Sequence, residues 1–467
     1  MKLAEQRPGA RRALALLIAH VALVCMFGQY YAKLELPLYP TELVLGALVV
    51  MGAGAVWAVP WDAITRRVAL FVAIGVGFAV VYGVPSGAGV KAFSFFVYAA
   101  FYWVVRGVAT TDRARWQLLD AIALACVVAA ALGLWQMTTG EPIVDTDKFG
   151  ARGFEETSTG SVRWLSGEYG LYGMLGLITA AARPLAQRRI TPSSSVLLAA
   201  AAIVVVLAQH RSGLVALGAA VAATGAYVLG TRRAIAGAVR LVGLVAVGAA
   251  IAAVTVDNSY LDDTIARIQH ITDVQDVNTA WRLLNWYEVG DGIVDWPWGH
   301  GFTQWDFFFT TYDPLIGSHN SLLDLAYRIG VPGLVGFLAI PAWLLARTRR
   351  AVVASSGTAQ VLPITACACL VALLAYACFN VVLETAYMSI LFWIVLGVGA
   401  GALDRRARPP GLVRPGPGRA WRRSAARSCH PRFRVRVGRG GSRRSGRTRP
   451  RSLGARFRPP GWSPARR

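Results

Sequence analysis

Arg211 stands where a charged side chain is costly unless it has a partner or a function, because it lies between two long apolar runs. It belongs to a short polar turn at 209–213, QHRSG. The residue type allows two interpretations. The guanidinium group either extends into the membrane interface as an isolated charge, or it holds the oxygen atoms of a phosphate in a forked contact.

A second arginine, Arg282, lies on a helical pattern at 281–294, between Trp281 and Trp286. The surrounding polar stretch holds five tryptophans: Trp281, Trp286, Trp296, Trp298 and Trp305. Aromatic rings of this kind are typical of the belt that anchors a protein at the membrane–water interface. Flat rings also suit stacking on a sugar or contact with a lipid, and the sequence leaves both interpretations open.

Two histidines follow in the same stretch. His319 precedes a helical pattern that Ser318 or Asn320 is placed to cap. The positive end of that helix favours a neutral imidazole, with a pKa within about one unit of 6.5. A neutral imidazole can act as a general base, although a loop histidine is also commonly a hydrogen-bonded structural residue. His300, between two glycines, is a candidate second acid or base.

Three further patterns are less specific. Asp145 and Asp147 form a D-x-D pattern, by which many transferases hold a divalent ion, but a solvated acidic loop looks the same. Glu384, just before the last apolar run, either orients a histidine, contacts an acceptor or is an interfacial charge. Cys367 and Cys369 lie inside an apolar run and are interpreted as small packing residues. We therefore expect no metal site at either pattern.

The composition indicates which elements must position these residues. Of 467 residues, 55% are hydrophobic and only 16% are charged, with a mean hydropathy of +0.47. No water-soluble fold of this size buries so many apolar runs of nearly 20 residues, about the length that crosses a bilayer. The sequence predicts an all-α, multi-pass membrane protein with about twelve spans. They are 12–31, 41–59, 68–85, 91–108, 117–137, 168–184, 194–208, 213–230, 239–256, 329–346, 360–380 and 387–403.

The distribution of Lys and Arg predicts that both termini are cytoplasmic. Within 1–403, the inner segments carry 18 basic and 4 acidic residues, and the outer segments carry 9 basic and 20 acidic residues. Two outer segments are then long, at about 138–167 and about 257–328. The second lies between the ninth and tenth spans and contains Arg282, His300 and His319.

The net charge of +23 comes mainly from one end of the chain. Residues 404–467 hold 21 Arg, no Lys and one acidic residue. We therefore predict a transmembrane domain at 1–403 and a disordered tail at 404–467. A composition of Arg, Pro and Gly without Lys is also typical of GC-rich coding sequence read out of frame. The tail is assigned no function, and no nucleic-acid partner is expected.

Taken together, the motifs resemble the O-antigen ligase and O-antigen polymerase superfamily of bacterial membrane glycosyltransferases. An Arg-Ser turn at 211–212 opens a span, and Arg282 with Trp286 precedes a Pro-x-Gly-x-Gly-like segment at 297–301. His-Asn at 319–320 then leads into a Gly-x-x-Gly helix start at 330–333. The similar region covers about 200–345. Gln209 and His210 depart from the family, which usually has Ser or Thr before the Arg-Ser pair.

The resemblance implies a metal-independent, inverting enzyme of the inner membrane that needs no cofactor. Its donor would be a glycan on polyprenyl diphosphate, such as undecaprenyl diphosphate, and its acceptor a glycan, lipid or glycolipid. Arg211 and Arg282 would bind the diphosphate, and His319 would be the catalytic base. Candidate acceptor or sugar contacts are Trp286, His300, Asn320 and Glu384. The resemblance does not separate ligase from polymerase.

The rival interpretation is a transporter or flippase of lipid-linked oligosaccharide. It predicts internal repeats and ionisable residues near mid-membrane on several spans, and neither is evident in the sequence. An intramembrane serine protease is a weaker alternative, because no GxSG pattern lies inside a span. A purely structural role would leave the pattern of arginines and histidines without a purpose.

Overall fold

The structure is a computed structural model of the 467-residue chain. It describes residues 8–32, 40–84, 88–140, 155–156, 162–228, 277–302, 318–353 and 357–404. Three features predicted from the sequence lie outside these residues: the ninth span at 239–256, the D-x-D pattern at 145–147, and the tail beyond residue 404.

The described chain is helical apart from one short ribbon. Its helices are α1 (Pro8–Ala32), α2 (Pro40–Val56), α3 (Ala63–Tyr82), α4 (Ala88–Tyr98), α5 (Ala100–Val108), α6 (Asp112–Thr139), α7 (Gly167–Gln187), α8 (Pro192–Ala208), α9 (Arg211–Val228), α10 (Val277–Asp295), α11 (Ser321–Val353), α12 (Val361–Ala377) and α13 (Ala386–Asp404). A short 3-10 turn, Gly357–Gln360, precedes α12. The ribbon pairs β1 (Glu155–Glu156) antiparallel with β2 (Val162–Arg163).

Within the described residues, six helical segments are long and apolar enough to cross a membrane: Pro8–Gly28, Ala63–Tyr82, Asp112–Thr139, Ser321–Val353, Thr358–Ala377 and Ala386–Asp404. Three apolar helices are shorter: Pro40–Val56, Ala92–Val108 and Pro192–Ala208. The multi-pass membrane architecture is thus supported, whereas the predicted number of twelve spans is not confirmed.

Two predicted spans differ from the helices observed. The fourth, 91–108, corresponds to α4 and α5, which are separated only by Ala99, a residue that itself has helical dihedral angles. The tenth, 329–346, is part of the 33-residue helix α11, which begins at Ser321 and kinks at Gly330. Hydropathy alone misses this earlier start, because the first turns of α11 contain Asp324 and Arg328.

The core of the helical bundle is a cluster of aromatic rings from four helices. Phe71, Phe95, Phe337 and Phe392 pack around Trp393, with ring centroids about 5 to 6 Å apart. The indole N–H of Trp393 donates to the carbonyl of Phe95 at 3.0 Å. Edge and tilted contacts between rings favour one arrangement of α3, α4, α11 and α13.

A buried ion pair closes the C-terminal end of α13. The guanidinium of Arg106 donates to Asp62 at 2.9 Å and to Asp404 at 2.5 Å. Asp62 also caps α3 by accepting the backbone N–H of Thr65 at 2.9 Å. A buried arginine is tolerated here because carboxylates compensate its charge.

Candidate functional site

The start of α11 determines the position of His319. Of the two N-cap candidates, Asn320 is the cap: its Oδ1 accepts the backbone N–H groups of Leu322 at 3.1 Å and Leu323 at 3.2 Å. His319, one residue earlier, adopts a left-handed backbone conformation with φ of +55°. A non-glycine residue rarely adopts this conformation, so the surrounding contacts must hold the turn in place.

The imidazole of His319 is largely buried and neutral at physiological pH. Burial and, to a smaller extent, the positive charge of Arg282 together lower its pKa to about 4. The sequence-based expectation of a value within about one unit of 6.5 is therefore wrong, although the direction of the shift is as expected. The sequence could not indicate how deeply the ring is enclosed, which is the main cause of the shift.

Helix α10 brings Arg282 and Trp286 to this turn. The indole N–H of Trp286 donates to the carbonyl of Ser318 at 2.8 Å. Its ring lies 6.0 Å from that of Phe379, centroid to centroid. Arg282, one helical turn before Trp286, is close enough for its charge to act on His319. The two motifs that lie 37 residues apart in sequence, at Arg282 and His319, are thus joined in space.

The Pro-x-Gly-x-Gly-like segment pairs with the kink of α11. Within this contact, the backbone N–H of Gly301 donates to the backbone carbonyl of Arg328 at 2.8 Å. The backbone N–H of Val331 donates to the carbonyl of Pro297 at 2.9 Å. Gly330 has φ of +76°, and a Cβ on it would lie 2.5 Å from the Trp298 carbonyl. Gly299 is equally constrained: its φ is +99°, and a Cβ on it would lie 2.4 Å from the backbone nitrogen of Gly330. Gly299 and Gly330 must therefore be glycines, because the backbones of their two segments are in direct contact.

His300 connects α10 to α11. Its ring stacks on Tyr327 with centroids 4.2 Å apart, and its Nε2 lies 3.0 Å from the carbonyl of Gly292. Its backbone N–H donates to the carbonyl of Tyr327 at 2.8 Å. These contacts fix the side chain between the two helices that carry Arg282 and His319.

The Arg211 turn is shaped by the residue that departs from the family pattern. His210 lies against Tyr376, with ring centroids 5.2 Å apart, and faces Gly167 and Gly170. A Cβ on Gly170 would come within 2.6 Å of His210, so the two glycines make room for the imidazole. Arg211 is then the first residue of α9.

Contacts along the end of α12 connect the Arg211 turn to the start of α11. Tyr376, which packs on His210, accepts at its carbonyl from the Asn380 amide at 3.3 Å. The carbonyl of Asn380 accepts in turn from the backbone N–H of Ser321 at 3.4 Å, and it lies 2.9 Å from the Ser321 hydroxyl oxygen. Both candidate phosphate-binding regions are thus packed on the same few residues.

A buried polar cluster beneath the His319 turn was not predicted from the sequence. It consists of Ser321, Asp324 and Arg328 from α11, with Glu384 from the segment before α13; we call it the carboxyl cluster. The Ser321 hydroxyl donates to Glu384 at 2.6 Å. Asp324 and Arg328 are only 1% and 3% exposed. Their spacing of four residues in an apolar helix start was the available signal, because such charges need partners.

The carboxyl cluster contacts the His319 turn and holds a proton. Asp324 accepts the backbone N–H of Ser318 at 3.2 Å and is hydrogen bonded to Glu384. Burial and then the negative charge of Asp324 raise the pKa of Glu384 to about 8, while Arg328 acts in the opposite direction. Although part of Glu384 remains accessible, its carboxyl is protonated at neutral pH.

Among the residues that the structure describes, no group of three or more His, Cys, Asp or Glu side chains is arranged to hold a metal ion. The two carboxyl groups of the cluster are satisfied by protein groups, which are a serine hydroxyl, a backbone N–H and the adjacent arginine.

Comparison with known proteins identifies the central part of the chain. The family model for O-antigen ligase matches residues 196–338, a range that includes Arg211, Arg282, His300 and His319. No curated protein matches the sequence. The family match supports the O-antigen ligase and polymerase superfamily that the motifs indicated.

Proposed function

We propose that the protein is a membrane glycosyltransferase that moves a glycan from polyprenyl diphosphate to an acceptor hydroxyl in cell-surface polysaccharide synthesis. The observation that carries the proposal is the meeting of α10 and the α11 start within the matched domain. There, a cationic Arg282 and a neutral, enclosed His319 lie close together. A cation for the leaving diphosphate and a base for the acceptor are the two groups that this reaction needs.

In this proposal, Arg211 and Arg282 bind the diphosphate through forked contacts with its oxygen atoms. They stabilise the negative charge that develops on the phosphate as the sugar–oxygen bond breaks. Diphosphate is already a good leaving group, so no general acid is required. Attack by the acceptor from the opposite face inverts the configuration at the anomeric carbon, and no metal ion takes part.

His319 removes the proton from the acceptor hydroxyl. With a pKa of about 4, it is neutral and ready to accept a proton at physiological pH, but it is a weak base in the empty site. A bound diphosphate offsets the positive charge of Arg282, which otherwise lowers this pKa. The donor thus makes the base stronger at the moment when the acceptor must be activated.

Four further residues were candidate acceptor or sugar contacts. The indole N–H of Trp286, the amide oxygen of Asn320 and the ring of His300 are engaged within the protein, so we propose that they support the site's geometry. Glu384 keeps accessible surface, and we retain it as the candidate that contacts the acceptor.

We also propose that the enzyme lies in the inner membrane with both termini in the cytoplasm. The site at His319 then opens on the outer face, where lipid-linked glycans are joined to their acceptors. A glycan, a lipid or a glycolipid could serve as the acceptor, so ligase and polymerase activities both fit the proposal. None of the observations on the described residues favours the transporter or flippase interpretation.

The proposal is tested by transfer of a lipid-linked glycan with purified protein in lipid nanodiscs. Arg282→Ala and Arg211→Ala should each nearly abolish transfer. The corresponding Lys variants should recover little, because an ammonium group cannot make the forked contact with phosphate. Arg66→Lys, at an exposed arginine of α3, is the matched control and should retain full activity.

Two results would contradict the proposal. Wild-type rates in both Lys variants, with normal membrane insertion, would exclude the diphosphate-binding role. Loss of transfer in EDTA, restored by Mg²⁺ or Mn²⁺, would show that a metal ion takes part and would return attention to Asp145 and Asp147.

A further inference from the structure

Asp324 and Arg328 of the carboxyl cluster have no role in the reaction as described so far, yet Asp324 contacts the turn that carries the proposed base. Asp324 accepts the N–H of Ser318 at 3.2 Å, and the carbonyl of the same serine accepts from Trp286 at 2.8 Å. Ser318, which precedes His319, is therefore held through its N–H by Asp324 of α11 and through its carbonyl by Trp286 of α10.

This double attachment matters because the His319 turn has an unfavourable backbone conformation. A non-glycine residue at φ of +55° is strained unless its surroundings impose the conformation. Asn320 fixes the residue after His319 through its cap contacts. Asp324 fixes the residue before it, so the two anchors enclose the histidine.

Burying Asp324 for this purpose requires compensation of its charge. Arg328, one turn further along α11, supplies a positive charge that acts on both Asp324 and Glu384. Glu384 is hydrogen bonded to Asp324, and Ser321 donates to it at 2.6 Å. Two carboxyl groups, one proton and one guanidinium together give a cluster without net charge.

We propose that Asp324, compensated by Arg328 and Glu384, is a positioning residue that holds the left-handed His319 turn in the geometry required of the base. This inference rests on the proposed transferase function. It goes beyond that function in assigning a role to a residue that touches neither donor nor acceptor.

Two variants of Asp324 separate its hydrogen bond from its charge. Asp324→Asn keeps an oxygen that can accept from Ser318 but removes the negative charge. Asp324→Ala removes both. We expect Asp324→Ala to lower kcat by about 10- to 100-fold, because a base displaced by about 1 Å no longer meets the acceptor hydroxyl. KM for the donor should stay within about threefold, because Arg211 and Arg282 remain. Asp324→Asn should lower kcat by a smaller factor.

Asp62→Ala is the matched control for a general loss of stability. Asp62 also caps a helix through a backbone N–H and pairs with a buried arginine, Arg106. It lies with Asp404 at the end of α13 opposite to Glu384, about 27 Å away at 1.5 Å per residue. The Asp62→Ala variant should lower the midpoint of thermal unfolding as Asp324→Ala does, but it should leave kcat unchanged.

Hydrogen exchange provides a readout that does not depend on transfer. The Ser318 amide should lose protection in Asp324→Ala and keep it in Asp324→Asn and in Asp62→Ala, as measured by mass spectrometry of the peptide that contains Ser318.

If the wild type is active but Asp324→Ala retains full kcat or full protection of Ser318, the positioning role is wrong and the proposed function stands. An equal loss of kcat in Asp62→Ala would also overturn it, since stability alone would then explain the effect. If the wild type transfers no lipid-linked glycan at all, the proposed function fails, and the role of Asp324 in the reaction fails with it.

Discussion

At the scale of single residues, the chemistry depends on how Arg282 and His319 affect each other. The positive charge of Arg282 and the enclosure of the imidazole both favour the neutral ring, so the pKa of His319 is lowered to about 4. A group whose pKa is low in the folded protein stays unprotonated across the physiological range. The kcat/KM for transfer, which reports the free enzyme, should therefore fall only in strongly acidic buffer and not near pH 6.5.

We predict that Arg282→Ala raises the pKa of His319, because it removes one of the two effects that lower it. Exchange of the imidazole C2 hydrogen, followed by mass spectrometry across a pH series, measures this pKa without requiring activity. His300→Ala is the control and should leave the titration of His319 unchanged. An unchanged His319 titration in Arg282→Ala would show that the two side chains do not interact.

In the transfer assay, His319→Ala should lower the rate by about 10²- to 10⁴-fold, the usual contribution of a general base. Donor binding, measured separately, should remain close to normal. His300→Ala should have a much smaller effect, because its ring is packed on Tyr327 and serves the contact between α10 and α11. The opposite ranking of the two variants would mean that the base had been assigned to the wrong histidine.

At the scale of helices and their ends, the site depends on the meeting of two backbones at Gly299 and Gly330. We predict that Gly330→Ala and Gly299→Ala each destabilise the protein by about 1–3 kcal/mol, since both need a positive φ and both would place a Cβ against backbone atoms. Gly336, also on α11, has open space around it, so Gly336→Ala is the control and should be neutral or slightly stabilising. Thermal unfolding in detergent compares the three variants; equal midpoints would contradict the backbone contact.

The carboxyl cluster should make the helix start sensitive to alkaline pH. The pKa of Glu384 is about 8, against 4.5 for an ordinary glutamate, so the folded protein retains a proton that the unfolded chain releases between these values. Stability therefore falls as pH rises through this range, and the full penalty is reached above about pH 8. The charged groups that face Glu384 are Asp324 and Arg328, both from α11.

We expect transfer to decline above about pH 8 in the wild type, because a second negative charge beside Asp324 disturbs the His319 turn. Glu384→Gln cannot ionise, so the alkaline decline should be absent from its pH–rate profile. A decline of the same size and midpoint in Glu384→Gln would assign the effect to another group.

The sequence predicted these elements better than their contacts. Periodicity predicted the helix over 281–294 and a capped helix start at 318–320, since both signals are local. The kink at Gly330 and its pairing with Gly299 depend on contacts between segments about 30 residues apart, which one sequence does not reveal. Asp324 was overlooked because its partners Ser318 and Glu384 are recognisable only after the chain has folded.

At the scale of the whole molecule, the orientation in the membrane should be independent of the basic tail. In the predicted topology, the inner segments of residues 1–403 already carry 18 basic residues against 9 in the outer segments. Arginine and lysine in short loops are what set the orientation of membrane helices. The O-antigen ligase match, at 196–338, also lies well before the tail.

We therefore predict that a chain ending at Asp404 inserts normally and transfers glycan at the wild-type rate. Asp404 is kept because it is the last residue of α13 and its carboxylate accepts from the guanidinium of Arg106. Asp404→Ala in the shortened chain should lower the free energy of unfolding by no more than about 1 kcal/mol, seen as a slightly lower midpoint of thermal unfolding. The effect is small because the Asp404 side chain is 42% exposed and Asp62 still compensates Arg106. Cysteine accessibility on each side of the membrane reports insertion, and the nanodisc assay reports transfer. Loss of either on removal of residues 405–467 would show that the tail contributes to folding or catalysis and would argue against an out-of-frame origin.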